Sequence, residues 1–156
     1  MSKRVFTKIS PAVWQSEKFI SLDTDAKILL MYYMTCEHQN SSGCYRVPDG
    51  YGCTDLVWDK ARYIKSKNQL IEDKLIAFDT QTSEVFVHKW FKHNPAMNDK
   101  HAKGTRTIID TINSQILKDI VEAEFQILEG LRAERTQTSS KPVANNEHLT
   151  RTNYLR

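Results

Sequence analysis

The chain carries little that could serve covalent or cofactor chemistry. Its 156 residues include three cysteines, an odd number that does not fit the disulfide framework of a small secreted domain. Cys36, His38, Cys44 and Cys53 are the one group of metal-type side chains, but their spacing lacks the closely paired ligands of a structural zinc site. The thiols read instead as buried free cysteines. No metal and no other cofactor is expected. The sequence has no Gly-rich phosphate loop and no Gly-x-Ser-x-Gly elbow. His88 and His93 flank Lys89 and Trp90 with no carboxylate or nucleophile near them in sequence, so the chain reads as non-enzymatic. No apolar run approaches the roughly 20 residues that a membrane helix needs. The N-terminal Met-Ser-Lys-Arg-Val-Phe has no apolar core behind its charges. No membrane partner and a cytoplasmic location are therefore expected.

What is present is ordinary for a globular domain: 40% hydrophobic and 26% charged residues, enough to bury a core unaided. Val5, Thr7 and Ile9 alternate, which predicts a short strand or extended arm over residues 4–9. Ser10-Pro11 is a helix start carrying Val13 and Trp14. Asp23 and its neighbours cap a longer helix to about Cys36, with Ile28, Leu29, Tyr32 and Tyr33 on its apolar face. A short strand at 44–47 follows a Ser-Ser-Gly turn. Two helical stretches come next, at 49–56 and 59–72. In the second, Ala61, Ile64, Asn68 and Ile71 are assigned to the packing face. Strand-like runs at 75–78 and 85–88 enclose a polar turn. Residues 98–104 read as irregular. Residues 105–131 read as one or two helices with an isoleucine-rich stripe.

Helix, strand, helix, helix, hairpin is the order of a winged helix. The predicted fold class is α+β: a winged helix-turn-helix domain over residues 1–95, a helical extension over 96–134 for dimerisation or partner docking, and a disordered tail over 135–156. Charge is unevenly spread. Residues 60–106 hold ten Lys and Arg against five acids, while the stretch from Thr107 onward holds six against seven. That excess on the second half of the domain points to a polyanionic partner.

The residues Phe6-Thr7-Lys8-Ile9, Val13-Trp14, Gly43-Cys44-Tyr45-Arg46-Val47-Pro48, Asp55-Leu56-Val57-Trp58 and Trp90-Phe91-Lys92-His93-Asn94-Pro95, in this order, resemble the phage and prophage replication protein family. The resemblance spans roughly residues 4 to 105. It implies an N-terminal winged helix similar to those of replisome organisers and primosomal proteins, DNA binding at an origin, and assembly with a helicase or helicase loader.

On this reading the helix from Asp59 enters the major groove of duplex DNA. Lys60, Arg62, Tyr63, Lys65, Ser66, Lys67 and Gln69 are its candidate contacts, and Lys89 and Lys92 belong to a second basic strip with His93, Lys100, Lys103 and Arg106. The turn at 80–83 lacks a cation, leaving hydroxyls and backbone for phosphate. Trp14, Tyr32, Tyr33, Trp58, Phe86, Trp90 and Phe91 are assigned to the core, because exposed stacking would matter only for a single-stranded ligand. Three functions stay open: a sequence-specific duplex-DNA-binding replication protein, a winged-helix transcription regulator, and a protein-interaction adaptor that does not bind DNA. A homodimer is a further expected partner state.

Overall fold

The computed structural model describes residues 5–139. Among these residues the chain is α+β, with seven α-helices, one 3-10 helix and a three-stranded antiparallel sheet. Residues 5–10 belong to no helix and to no strand. Ser10 Oγ then accepts the Ala12 amide and starts the 3-10 helix Pro11–Gln15. A short helix α1, Glu17–Ile20, follows and buries Phe19.

Helix α2 spans Thr24–Thr35 and buries Ala26, Leu29, Leu30 and Tyr33, the i, i+3, i+4, i+7 pattern of a single face. Ile28, expected on that face, is exposed. The true face is rotated by about one residue, with Ala26 and Leu30 taking the buried places expected of Ile28 and Tyr32. Strand β1 is Cys44–Arg46, helix α3 is Asp49–Leu56 and helix α4 is Lys60–Glu72. The α3–α4 approach is tight: a Cβ on Gly52 would meet the Tyr63 ring at 2.3 Å. Gly50 and Gly52 lower helix propensity, so α3 persists through packing, with glycine required at position 52.

Strands β2, Ile76–Asp79, and β3, Glu84–Val87, form a hairpin. The sheet order is β1-β3-β2, with Cys44 opposite Phe86 and Ile76 opposite Val87. Every residue of β3 is buried. A half-exposed strand would alternate; β3 does not, because both of its faces are covered. The last of the C-terminal helices packs against it, and Val85, Phe86 and Val87 belong to the same buried cluster as Leu29, Tyr33 and Leu70 of α2 and α4.

Those helices are α5 (Trp90–His93), α6 (Asp99–Asp110) and α7 (Gln115–Ser139). Residues 99–104 are therefore helical where irregular chain was expected. Asn98 caps α6 by accepting the His101 amide at 2.8 Å, and Ala102, Thr105 and Ile109 are its buried face. The polar surface of that segment is one side of an amphipathic helix. Helix α7 also runs beyond the expected start of the tail, through residues 135–139; the rest of that tail, 140–156, lies outside the described residues.

The extension is part of the core. Ile109, Ile112, Leu117, Val121 and Phe125 join the same buried cluster as Leu29, Tyr33, Phe86 and Trp90. Gly43, at φ +70°, lets Trp90 lie against it: a Cβ there would meet the indole at 2.3 Å. Glu84, buried in the central strand, turns both carboxylate oxygens to the start of α7. Oε1 accepts the Asn113 amide at 3.0 Å and Oε2 the Ser114 amide at 2.7 Å. The Ser114 hydroxyl accepts the Leu117 amide and bonds the Asp79 carboxylate, which is held below its usual pKa by that bond and by the Gln81 amide. Two carboxylates of the hairpin thus face the positive end of a long helix.

Removing the Glu84 carboxylate leaves two amides near the core without acceptors. Glu84→Ala is expected to lower stability by about 2–4 kcal/mol and the midpoint of thermal unfolding by about 5–10 °C, with Glu84→Gln between it and the parent. Circular dichroism melts of the three proteins check this; a Glu84→Ala melt matching the parent would remove the carboxylate from the account of how α7 docks.

Candidate nucleic-acid interface

Helix α4 begins with Asp59, whose Oδ1 accepts the Arg62 amide at 2.9 Å. The face toward the core is Tyr63, Ser66, Lys67 and Leu70. Three candidate DNA contacts are thereby withdrawn from the surface. Tyr63 is fully buried, and its hydroxyl shares a 2.6 Å hydrogen bond with that of Tyr33. Burial, chiefly, pushes both phenols above their ordinary pKa. The Ser66 hydroxyl donates back to the Arg62 carbonyl at 3.0 Å. Lys67 is sequestered, with its side chain 5% exposed. Its ammonium lies 2.7 Å from Asp49 Oδ1 and 3.8 Å from the centroid of the Phe78 ring.

The expected packing face, Ala61, Ile64, Asn68 and Ile71, is largely the outward one. Ala61, Asn68 and Ile71 are exposed and Ile64 is half-buried. Its apolar members suggested a core stripe, yet the spacing 63, 66, 67, 70 fits helical periodicity equally well. A tyrosine and a long lysine stem can both be buried when their polar tips have partners.

Lys60, Arg62 and Lys65 are exposed, and Gln69 is half-buried. Their charge is largely answered from outside the helix. Arg62 makes a bidentate pair with Asp25, Nε to Oδ2 at 2.7 Å and Nη2 to Oδ1 at 2.6 Å, and its guanidinium lies 4.4 Å from the centroid of the Trp58 ring. The Arg62 side chain holds the Asp25 carboxyl below the usual carboxylate range. Lys65 Nζ lies 3.9 Å from Asp23 Oδ2. Of the four cations on α4, Lys60 alone has no carboxylate within 4.0 Å among the described residues.

Lys89 and Lys92 lie elsewhere, at the sheet end remote from the 80–83 turn. They line a groove of about 330 Å³ between the N-terminal arm, α1, the α4–β2 turn and α5. Lys8, Lys18 and Lys74 line it too, with His88 and His93, and no aspartate or glutamate does. Phe19, Leu30, Met34, Leu75 and Val87 supply apolar lining. Lys18 Nζ donates to the Asp73 carbonyl at 3.0 Å. Lys74 and Lys89 both occupy the left-handed region, at φ 55° and 59°. Burial, then the charges of Lys92 and Lys89, hold the His93 pKa below its ordinary value. Glu124 approaches from α7: its Oε1 lies 3.6 Å from His88 Nδ1 and accepts the Lys89 amide at 3.2 Å. This carboxylate, distant in sequence, was not foreseen beside His88. Lys100, Lys103 and Arg106 lie on α6 and do not line the groove.

Among the aromatic residues assigned to the core, Tyr33, Phe86, Trp90 and Phe91 are buried, and Tyr32 and Trp58 are half-buried. Trp14 is 66% exposed, its ring standing edge-on to Phe19 at 5.2 Å. Of the cysteines, Cys44 is buried, and burial pushes its thiol pKa up to about 12; Cys36 and Cys53 are half-buried. Among the described residues no three His, Cys, Asp or Glu side chains converge on a metal-sized site, and no helix is long and apolar enough to cross a membrane. No family model matches this chain, and no curated protein or solved structure is significantly similar to it.

The Lys67–Asp49 pair separates structure from surface charge. Asp49→Ala strands a buried ammonium and is expected to destabilise by about 3 kcal/mol, whereas Lys67→Met replaces the stem by a similar apolar volume at a cost near zero. Urea titrations of the two variants test the asymmetry; equal losses would mean the ammonium is not held as described.

Proposed function

We propose that this chain is a duplex-DNA-binding protein of winged-helix type, acting without catalysis in replication initiation or replisome assembly of the phage and prophage kind, with α4 as its reading helix. The observation that carries this reading is the open face of α4. Among the described residues no other element covers Lys60, Ala61, Lys65 or Asn68, and the helix is capped by Asp59 and steadied by the Arg62–Asp25 pair. Ala61 permits close backbone approach, Asn68 suits adenine, and the lysines suit guanine or phosphate. The element order and the β1-β3-β2 hairpin sheet support the winged-helix assignment, and the family resemblance supports the replication role. Thr80, Gln81 and Ser83 offer a polar but uncharged wing.

One observation favours a second reading, an adaptor that binds protein and not DNA. Asp23, Asp25 and Asp49 answer three of the four cations of α4, and a neutralised helix releases few counterions from DNA. Association with a second copy is supported by α7. Its inner side is core, while Ile116, Ile127 and Leu131 are exposed, and with exposed Ala123 they fall on one outer stripe at helical spacing, bordered by half-buried Ile120.

Fluorescence anisotropy on a mixed-sequence duplex at about 50 and about 200 mM salt separates the readings. DNA binding predicts salt-sensitive association, with the logarithmic salt slope reduced by about 2 in Lys60→Ala/Lys65→Ala and altered sequence preference in Asn68→Ala. Absence of duplex binding by the parent would leave the adaptor. Duplex binding that ignores all three substitutions would remove α4 as the reader. For self-association, Ile127→Glu is expected to shift the sedimenting species to monomer; a parent that is already monomeric at high concentration would dismiss the stripe as a dimer face.

A further inference from the structure

We propose that the lysine-lined groove at the far end of the sheet binds single-stranded nucleic acid, independently of α4. The first ground is charge. Lys8, Lys18, Lys74, Lys89 and Lys92 converge on one groove from four separate parts of the chain, and no carboxylate lines it. None of the five ammonium groups has a carboxylate within 4.0 Å among the described residues; the carboxylate next to the groove, Glu124, is turned to His88 and to the Lys89 backbone amide. This contrasts with α4, where three of four cations are answered. Five like charges gathered beside a single carboxylate still repel one another, and a polyanion relieves that repulsion. The depressed His93 pKa, owed in part to Lys92 and Lys89, is consistent with such a field.

The second ground is aromatic. Trp14 and Phe6 are 66% and 70% exposed, on the two segments that border the groove, next to its lining residues Val13 and Thr7. Trp14 stands against Phe19, itself part of the lining. Neither Trp14 nor Phe6 is part of the lining itself; exposed aromatic planes on the bordering segments can stack unpaired bases while the groove lysines track the phosphates. Duplex DNA would leave the planes unused, since its bases are already stacked. An acidic peptide would match the lysines but has no need of flat exposed rings. The chain's own residues 140–156 are a poor occupant, with three bases and one acid.

A third observation concerns the backbone. Lys74 and Lys89 hold left-handed conformations where glycine is easier. Two of the five groove cations are thus kept at positions that tax a side chain, as occurs at functional sites.

The test uses the full chain with fluorescein-labelled oligo-dT and oligo-rU of about 15 nucleotides. Binding is expected to both, with a logarithmic salt slope of about −2 to −3.5 for three to five phosphate contacts. Lys74→Glu/Lys92→Glu is expected to weaken binding at least about tenfold. Trp14→Ala should weaken it about five- to hundredfold, with Trp14→Tyr restoring most of the loss. Lys8→Glu/Lys92→Glu serves if the first pair does not fold. Lys60→Ala/Lys65→Ala should leave single-strand binding intact, so failure of the groove and failure of α4 read out separately. Binding to dT alone or rU alone would still support the site and name its ligand. No binding to either oligonucleotide at low salt overturns the proposal. So does binding indifferent to Trp14, or equal affinity for polyglutamate, which would make the groove a docking surface for acidic protein.

Discussion

The carboxylate of Glu84 is the constraint on which the rest of the arrangement depends. It sits buried in the middle strand, and its two oxygens take the amides at the start of α7. A buried carboxylate is costly unless it is fully hydrogen-bonded, and a helix N-terminus is costly unless its amides are accepted. Each supplies what the other lacks. Because they meet at the hairpin, α7 is held across the sheet, where it packs against β3 and meets α5 through Phe125 and Phe91. The position of α5 in turn places Lys92 and His93 at the groove. One side chain in the sheet thus governs the geometry of a surface at the sheet's opposite end.

The order of elements from residue 24 to 88 was legible from local rules. Asp59 as a cap, glycine at the turn before β1 and a β-branched hairpin strand are decisions made within a few residues. Helix faces were harder. In α4 the buried side includes Tyr63 and Lys67, whose burial depends on partners distant in sequence: the phenol on Tyr33, and the ammonium on Asp49 and Phe78. A residue-type rule sends such side chains outward. The same limit applies to Glu84, which reads as a turn residue until the start of α7 is placed beside it. The helical character of residues 99–104 was hidden because the buried positions of this part of α6 and its next residue, Ala102 and Thr105, are small and weakly apolar.

Charge was misread for a related reason. Counting along residues 60–106 gave an excess of cations, but the acids that answer α4 come from α2 and α3, outside that window. The groove draws Lys8 and Lys18 from the N-terminal segments to join Lys74, Lys89 and Lys92. Folding therefore moved the unanswered positive charge away from the helix that the sequence singled out and toward the far end of the sheet. Electrostatic footprints are properties of surfaces, and in a chain of mixed charge they are set by which elements pack together.

The left-handed backbone at Lys74 and Lys89 bears on how this protein would respond to selection for stability alone. Glycine relieves the conformational penalty at such positions, and the turn after α4 is where it most often stands. Drift toward heat tolerance would therefore tend to erase cations at these two sites. Lysine persisting there in relatives adapted to high temperature would mark a charge kept for reasons other than folding, whereas glycine would mean that the turn matters to them more than the charge.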